Sequence, residues 1–243
     1  MINYAIFLAI FFTTNIIQGI TGFAGTVLAV PFCSFFINLF WAIAVMNMLG
    51  IVTSIHILST VRGSLRLDVM KRALLVMGPG LLTGFAVVQY LREYETAQRF
   101  VLGLFVVAVG LANLLGRRLN LRLRGGALSQ NLLLFFGGLF HGMYVCGGPL
   151  LVAYLTGKLR DKSEFRATIS SIWLPLNFLN LADHIRNGYV NSTTLALTAI
   201  GVPVVFISVH IGTVLVKRMS QDFFIKLTNV LLVISGLSLI VRP

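Results

Sequence analysis

Gly147, Gly148 and Pro149 stand together inside an apolar run, with Cys146 just before them and His141 five residues before Cys146. A second apolar run carries Gly19, Gly22 and Gly25, ends its glycine-rich stretch at Pro31, and has Gln18, Thr21 and Thr26 close by. Each cluster is expected to break a helix. Where a helix restarts after a break, its first N–H groups have no partner in the chain, and the positive end of its dipole lies there. Together these hold an anion without a buried full charge. Pro149 suits the first helical position, where its missing N–H costs nothing. Gly147 and Gly148 let a ligand approach the backbone closely. The plainer use of such glycines is tight helix packing in lipid. Two breaks at matching places in the two halves of the chain favour a site, because paired interruptions mark the binding sites of transporters.

Other side chains join this chemistry. Asn47 follows the first break, and Asn177 holds the analogous place after the second, within Phe165, Arg166, Thr168 and Asn177. Both asparagines can donate to anion oxygens, or they can satisfy frayed backbone and link helices. Arg166 can clamp an anion with two parallel hydrogen bonds, or its head can snorkel to the cytoplasmic lipid surface. His141 with Cys146 has the residue types of a base and a nucleophile, but no carboxylate lies near them in sequence to orient the ring. Cys146 reads more simply as a small residue at a tight tip, and no residue is assigned a catalytic role. His56 and His210 are alternatives to His141, and His184 reads as interfacial. The seven acids, Asp68, Glu93, Glu95, Asp161, Glu164, Asp183 and Asp222, all fall in or beside loops. Cation carriers and proton pumps place a carboxylate in mid-span, so its lack here disfavours them and suits an anion.

The elements that position these residues must be membrane helices. Of 243 residues 57% are hydrophobic and 11% charged, with a mean hydropathy of +0.92. A soluble domain has about 25% charged residues. The fold class expected is all-α, a polytopic helical membrane protein. The apolar runs are continuous rather than alternating, which excludes a β-barrel. Eight hydrophobic segments are drawn at 3–37, 39–60, 73–91, 99–116, 130–157, 167–184, 190–216 and 223–241. The net charge of +12 sits in the loops between them, as the positive-inside rule expects. There is no basic domain to hold a nucleic acid. Cys33 and Cys146 form no disulfide framework or metal pattern. The stretch 1–12 has no Lys or Arg, so it is read as mature sequence rather than a cleaved leader.

Loop charges test the topology. If every segment crosses once, the two sides carry ten and nine Lys plus Arg; if 130–157 returns to its own side, they carry fifteen and four. That segment is therefore expected to be a re-entrant hairpin of two half-helices, each about 14 residues and about 21 Å long. The first segment, equally over-long, suggests the same hairpin, although a single crossing remains open. The basic stretch around Arg117, Arg118, Arg122 and Arg124 then divides two repeats, 1–124 and 125–243, each a broken hairpin plus three crossings. An odd crossing number inverts one repeat relative to the other, with both termini outside.

At these motifs the chain resembles the sulfite exporter TauE/SafE family of bacterial anion permeases. The similarity runs from Gly22, Phe23, Ala24, Gly25 and Pro31 to the stretch from His141 through Cys146, Gly147, Gly148 and Pro149 to Tyr154, and on to Arg166 and Asn177. The resemblance implies a multi-pass protein of the cell inner membrane that exports sulfite or small organosulfonates. The tips of the two broken segments are expected to cradle the anion near mid-membrane, and rocking of the halves to alternate access. A monoanion leaving a negative interior gains about 2.3 kcal/mol per 100 mV, so export needs no coupling ion. The expected partners are a small anionic substrate and the lipid bilayer, with no nucleic acid, cofactor or metal. The oligomeric state is open, a homo-oligomer included. Three other readings stand beside this one: a permease for a different solute, a membrane enzyme built on His141 and Cys146, and a non-transporting scaffold.

Overall fold

A computed structural model of the chain describes residues 2–21, 24–60, 65–91, 93–118, 126–156, 158–159 and 162–215, and a few isolated residues from 230 to 241. The described residues form nine α-helices and no strand. In order these are α1 (Ile2–Thr21), α2 (Ala24–Cys33), α3 (Leu39–Thr60), α4 (Leu67–Tyr90), α5 (Glu95–Arg118), α6 (Ala127–Tyr144), α7 (Gly148–Thr156), α8 (Lys162–Arg186) and α9 (Ser192–Leu215). The all-α expectation holds. Three helices are long and apolar enough to cross a membrane on their own, over Leu39–Ser59, Leu67–Tyr90 and Ser192–Gly212. Shorter apolar stretches lie in α1 and α5. Most of the expected segment 223–241 lies outside the described residues. Large apolar side chains stay exposed along several helices, among them Leu75, Leu82, Leu132, Phe136, Phe178 and Ile200. Such faces are compatible with lipid and costly in water.

Both over-long segments are broken, and each becomes a long helix followed by a short one. The arms are unequal: 20 and 10 residues in α1 and α2, 18 and 9 in α6 and α7. The sequence reading of two similar arms is corrected on this point. The reason lies in the glycines. Gly137, Gly138 and Gly142 do not interrupt α6 but belong to it. A β-carbon on Gly138 would collide with the backbone of Met77, and one on Gly142 with the backbone of Leu81. Gly80 and Gly84 on α4 have the same relation to Phe135 and Leu139 of α6. Two Gly-x-x-x-Gly faces thus bring α4 and α6 into backbone contact, the packing use of small residues in membranes. Gly19 likewise lies within α1, and Pro31 lies inside α2 rather than closing it.

The chain forms two compact units. One contains residues 1–39, 88–124 and 207–243; the other contains 40–87 and 125–206. In the first unit α1 and α2 fold against each other, with Phe7 and Phe11 stacked at 6.3 Å and Val27, Leu28, Val30 and Cys33 buried. Gly19 and Gly212 again mark a close approach, since a β-carbon on Gly19 would sit 2.7 Å from the Val209 carbonyl oxygen. In the second unit α6 and α7 form the other hairpin, and α3, α4, α8 and most of α9 belong to the same unit. Its core includes Ile43, Met77, Leu81, Leu134, Tyr144, Leu151 and Leu155.

Candidate functional site

The second unit assembles the more informative cluster. Helix α6 ends in a turn that reverses the chain. The Val145 N–H donates to the His141 carbonyl at 2.9 Å and the Cys146 N–H to the Phe140 carbonyl at 3.3 Å. The first is the single bond of an αL cap, and the second encloses it one residue wider than a Schellman bond does. Its pivot is Val145, at φ 56° and ψ 27°. Glycine is the usual residue there, and a β-branched side chain in that conformation is strained by about 1–3 kcal/mol. The packing of residues 141–149, all buried, holds it in place.

Helix α7 restarts at once. Its first internal bond runs from the Leu151 N–H to the Gly147 carbonyl at 3.3 Å. The N–H groups of Gly148 and Leu150 precede that bond and have no acceptor within the helix. Pro149 stands second in α7 rather than first. Its missing N–H still costs no bond, because the first turn makes none. Gly147 is compelled by space: a β-carbon there would meet the Gly137 carbonyl oxygen, with His141 Cβ at 2.8 Å. His141 therefore lies directly against the tip.

From His141 a polar chain leads across three helices. Its Nε2 lies 2.9 Å from Asn177 Oδ1 on α8. An amide oxygen only accepts, so Nε2 carries the proton, and Nδ1 is a bare acceptor in the neutral ring. The imidazole stacks on Trp173 with centroids 4.4 Å apart. Asn47 on α3 donates through Nδ2 to the Asn177 backbone carbonyl at 3.0 Å. Gly50, one turn further along α3, leaves room for the Asn177 amide, whose Nδ2 would lie 3.1 Å from a β-carbon there. Asn47 Oδ1, His141 Nδ1 and Tyr154 OH are buried with no hydrogen-bond partner among the described residues. A buried group of this kind calls for an explanation.

Of the residues singled out in the sequence, His141, Cys146, Gly147, Gly148, Pro149, Asn47 and Asn177 thus belong to one unit and one neighbourhood. Cys146 is fully buried in the turn. Arg166 sits in the first turns of α8, half-buried, after the acidic Glu164. Gln18, Gly25 and Thr26 belong to the other unit. Gln18 of α1 packs against Gly25 of α2, and Thr26 is half-buried. Thr21 ends α1, and Gly22 lies outside the described residues. Trp173 was missed, although it stands four residues before Asn177, one helical turn away. His184, read as interfacial, is only 4% exposed. Among the described acids, Asp68, Glu95, Glu164 and Asp183 lie in first or last turns of helices, and Glu93 lies in the turn between α4 and α5.

The profile described as "Sulfite exporter TauE/SafE" matches residues 6–239. A "Probable inner membrane transporter protein TsaS" from Comamonas testosteroni is 27% identical over 103 residues, which are 42% of this chain and 43% of that protein. The match therefore spans less than half the length of that relative. No solved structure matches the chain. Family and relative alike point to a transporter rather than an enzyme. The chain belongs to the sulfite exporter TauE/SafE family, whose profile its residues 6–239 match.

Proposed function

We propose that the protein exports a small oxyanion, sulfite or an organosulfonate, across the cell inner membrane by alternating access. The observation that carries this reading is the buried tip of the α6–α7 hairpin. There the amides of Gly148 and Leu150 precede the first helical bond, beside His141, Asn47 and Asn177. A helix start of this kind attracts negative charge, and no described carboxylate stands in mid-helix to repel it. At nine residues α7 is about 14 Å long. That is about half the hydrocarbon thickness, which suits a tip near mid-membrane. The recurrence of a long and a short arm in both halves supports inverted repeats over 1–124 and 125–243. Arg166, early on α8 on the side rich in positive loops, receives the anion from the cytoplasm.

Vesicles containing the purified protein test this directly. Sulfite or sulfonate efflux is expected to accelerate when the interior is made negative. Replacing Gly148 by Leu or Arg166 by Ala is expected to lower efflux about tenfold, the effect of losing one charge-assisted hydrogen bond. Wild-type rates in both variants would remove the site. Flux that ignores membrane potential would indicate an uncharged cargo.

A further inference from the structure

Helix α8 is built inside out. Arg166, Ser170, Trp173, Asn177, Asn180 and His184 recur at spacings of four and three. At 3.6 residues per turn they fall within an arc of about 80°. Ser170, Asn177, Asn180 and His184 on this stripe are buried. The opposite arc carries Pro175, Phe178, Leu179, Ala182 and Ile185, all exposed. A helix that turns apolar groups outward and polar groups inward belongs in lipid around a polar interior. From Arg166 to His184 the stripe runs about 27 Å, close to the hydrocarbon thickness of about 30 Å.

The end of the stripe beyond the hairpin tip is not used by anything described so far. Asn180 is fully buried. Its Nδ2 donates to the Leu176 carbonyl of its own helix at 3.2 Å, while its Oδ1 has no partner among the described residues. His184, one turn on, has no hydrogen-bond partner at Nδ1 or at Nε2 among the described residues. Its only described ring neighbour is Tyr189, with centroids 6.1 Å apart. These groups comprise acceptors as well as the imidazole N–H donor. A bare oxyanion satisfies the donor alone. An oxyanion that keeps part of its water shell satisfies both kinds, because water donates to Asn180 Oδ1 and bridges the ring nitrogens to the anion.

We infer that the buried face of α8 is the wetted wall of the substrate's path, and that Asn180 and His184 form a second, outer station for a partly hydrated oxyanion beyond the hairpin tip. The choice of cargo rests on the export reading above; the placing of the path does not. The path runs from Arg166 through Asn177, where His141 and Asn47 join it, to His184.

The experiment has two arms. In vesicles, Asn180→Leu and His184→Leu are expected to lower sulfite or sulfonate efflux about tenfold. Their melting temperatures are expected to stay level or rise, since an unpartnered buried polar group gives way to an apolar one. Wild-type efflux in both variants overturns the inference. So does a fall in melting temperature alongside a fall in efflux, which marks a packing role. In the second arm, Asn180→Cys is treated in membranes with a small, charged, water-soluble thiol reagent, against Phe178→Cys on the outward arc. Labelling at 180 above the wild-type background and none at 178 is expected; no labelling at 180 overturns the inference. If the wild-type protein moves neither anion, the export reading fails, and the labelling arm still decides whether α8 lines a water-filled path.

Discussion

The two broken hairpins share a plan and differ in where their polar groups turn. In α1 the hydroxyls of Thr13 and Thr14 and the amide of Asn15 bond to carbonyls of their own helix, four residues or fewer back. After α2, Ser34 does the same with Pro31. The α6–α7 hairpin sends His141 across to α8, where Asn47 arrives from α3. Local back-bonding is cheap and needs no neighbour. A bond between helices fixes their relative placement and leaves the other end of each polar group facing whatever lies beside it. Intramembrane polarity alone therefore does not identify a site; polarity that reaches between helices, or that stays buried without a partner, points to one.

The largest effect that sharpens this contrast is expected at the tip. Gly147→Ala places a methyl against the Gly137 carbonyl and His141. Efflux is expected to fall by about two orders of magnitude, as a misplaced binding group would cause. In the first hairpin a β-carbon on Gly25 would meet the Gln18 side chain, including its Cβ at 2.6 Å, so α1 and α2 have to shift there too. Gly25→Ala is expected to lower transport less than Gly147→Ala, because the atoms nearest Gly25 belong to a side chain and those nearest Gly147 include a backbone carbonyl; parity between the two variants would erase the distinction. Next in size is Asn177→Leu. It strands the buried His141 Nε2 and is expected to cost about 1–3 kcal/mol in stability and about tenfold in efflux. Asn15→Leu, which removes only a bond within α1, is expected to shift the melting temperature far less; equal shifts would show that the inter-helix bond has no special weight.

Val145→Gly comes third. It relieves the left-handed strain but loosens the unfolded chain, so a net gain of up to about 1 kcal/mol is expected in chemical unfolding. A loss would mean that the valine side chain holds the tip. The smallest effect belongs to Gly78, which faces open space on α4 between positions that do not. Gly78→Ala is expected to stabilise the helix by about 0.5–1 kcal/mol, whereas Gly80→Ala destabilises it through contact with Phe135.

Much of this was legible in the sequence. The apolar segment at 39–60 coincides with α3, and both breaks lie within the segments whose length demanded them. Asn47 and Asn177 hold matching places in the sequence, and the structure bonds the Asn47 amide to the Asn177 backbone carbonyl. What the sequence hid follows from physics at longer range. Gly138 and Gly142 look like breakers, because nothing in the chain says that Met77 and Leu81 lie against them. Unequal arms follow from that packing, since α6 continues wherever α4 supports it. His184 near a helix end resembles an interfacial residue until Tyr189 folds back over it. The segment 167–184 shows its polar residues singly along the sequence, whereas α8 gathers them on one buried face. The placement of Gly22 lies outside the described residues, so the first tip is known only by its flanks.

The paired glycine faces of α4 and α6 have a mechanical consequence. Interlocked backbones resist sliding, since the place of a β-carbon on Gly80, Gly84, Gly138 and Gly142 is already taken by backbone of the opposite helix. The eighteen-residue arm is therefore anchored like the fixed leaf of a hinge, and any opening of the reversal at Val145 has to be a swing of the nine-residue arm alone.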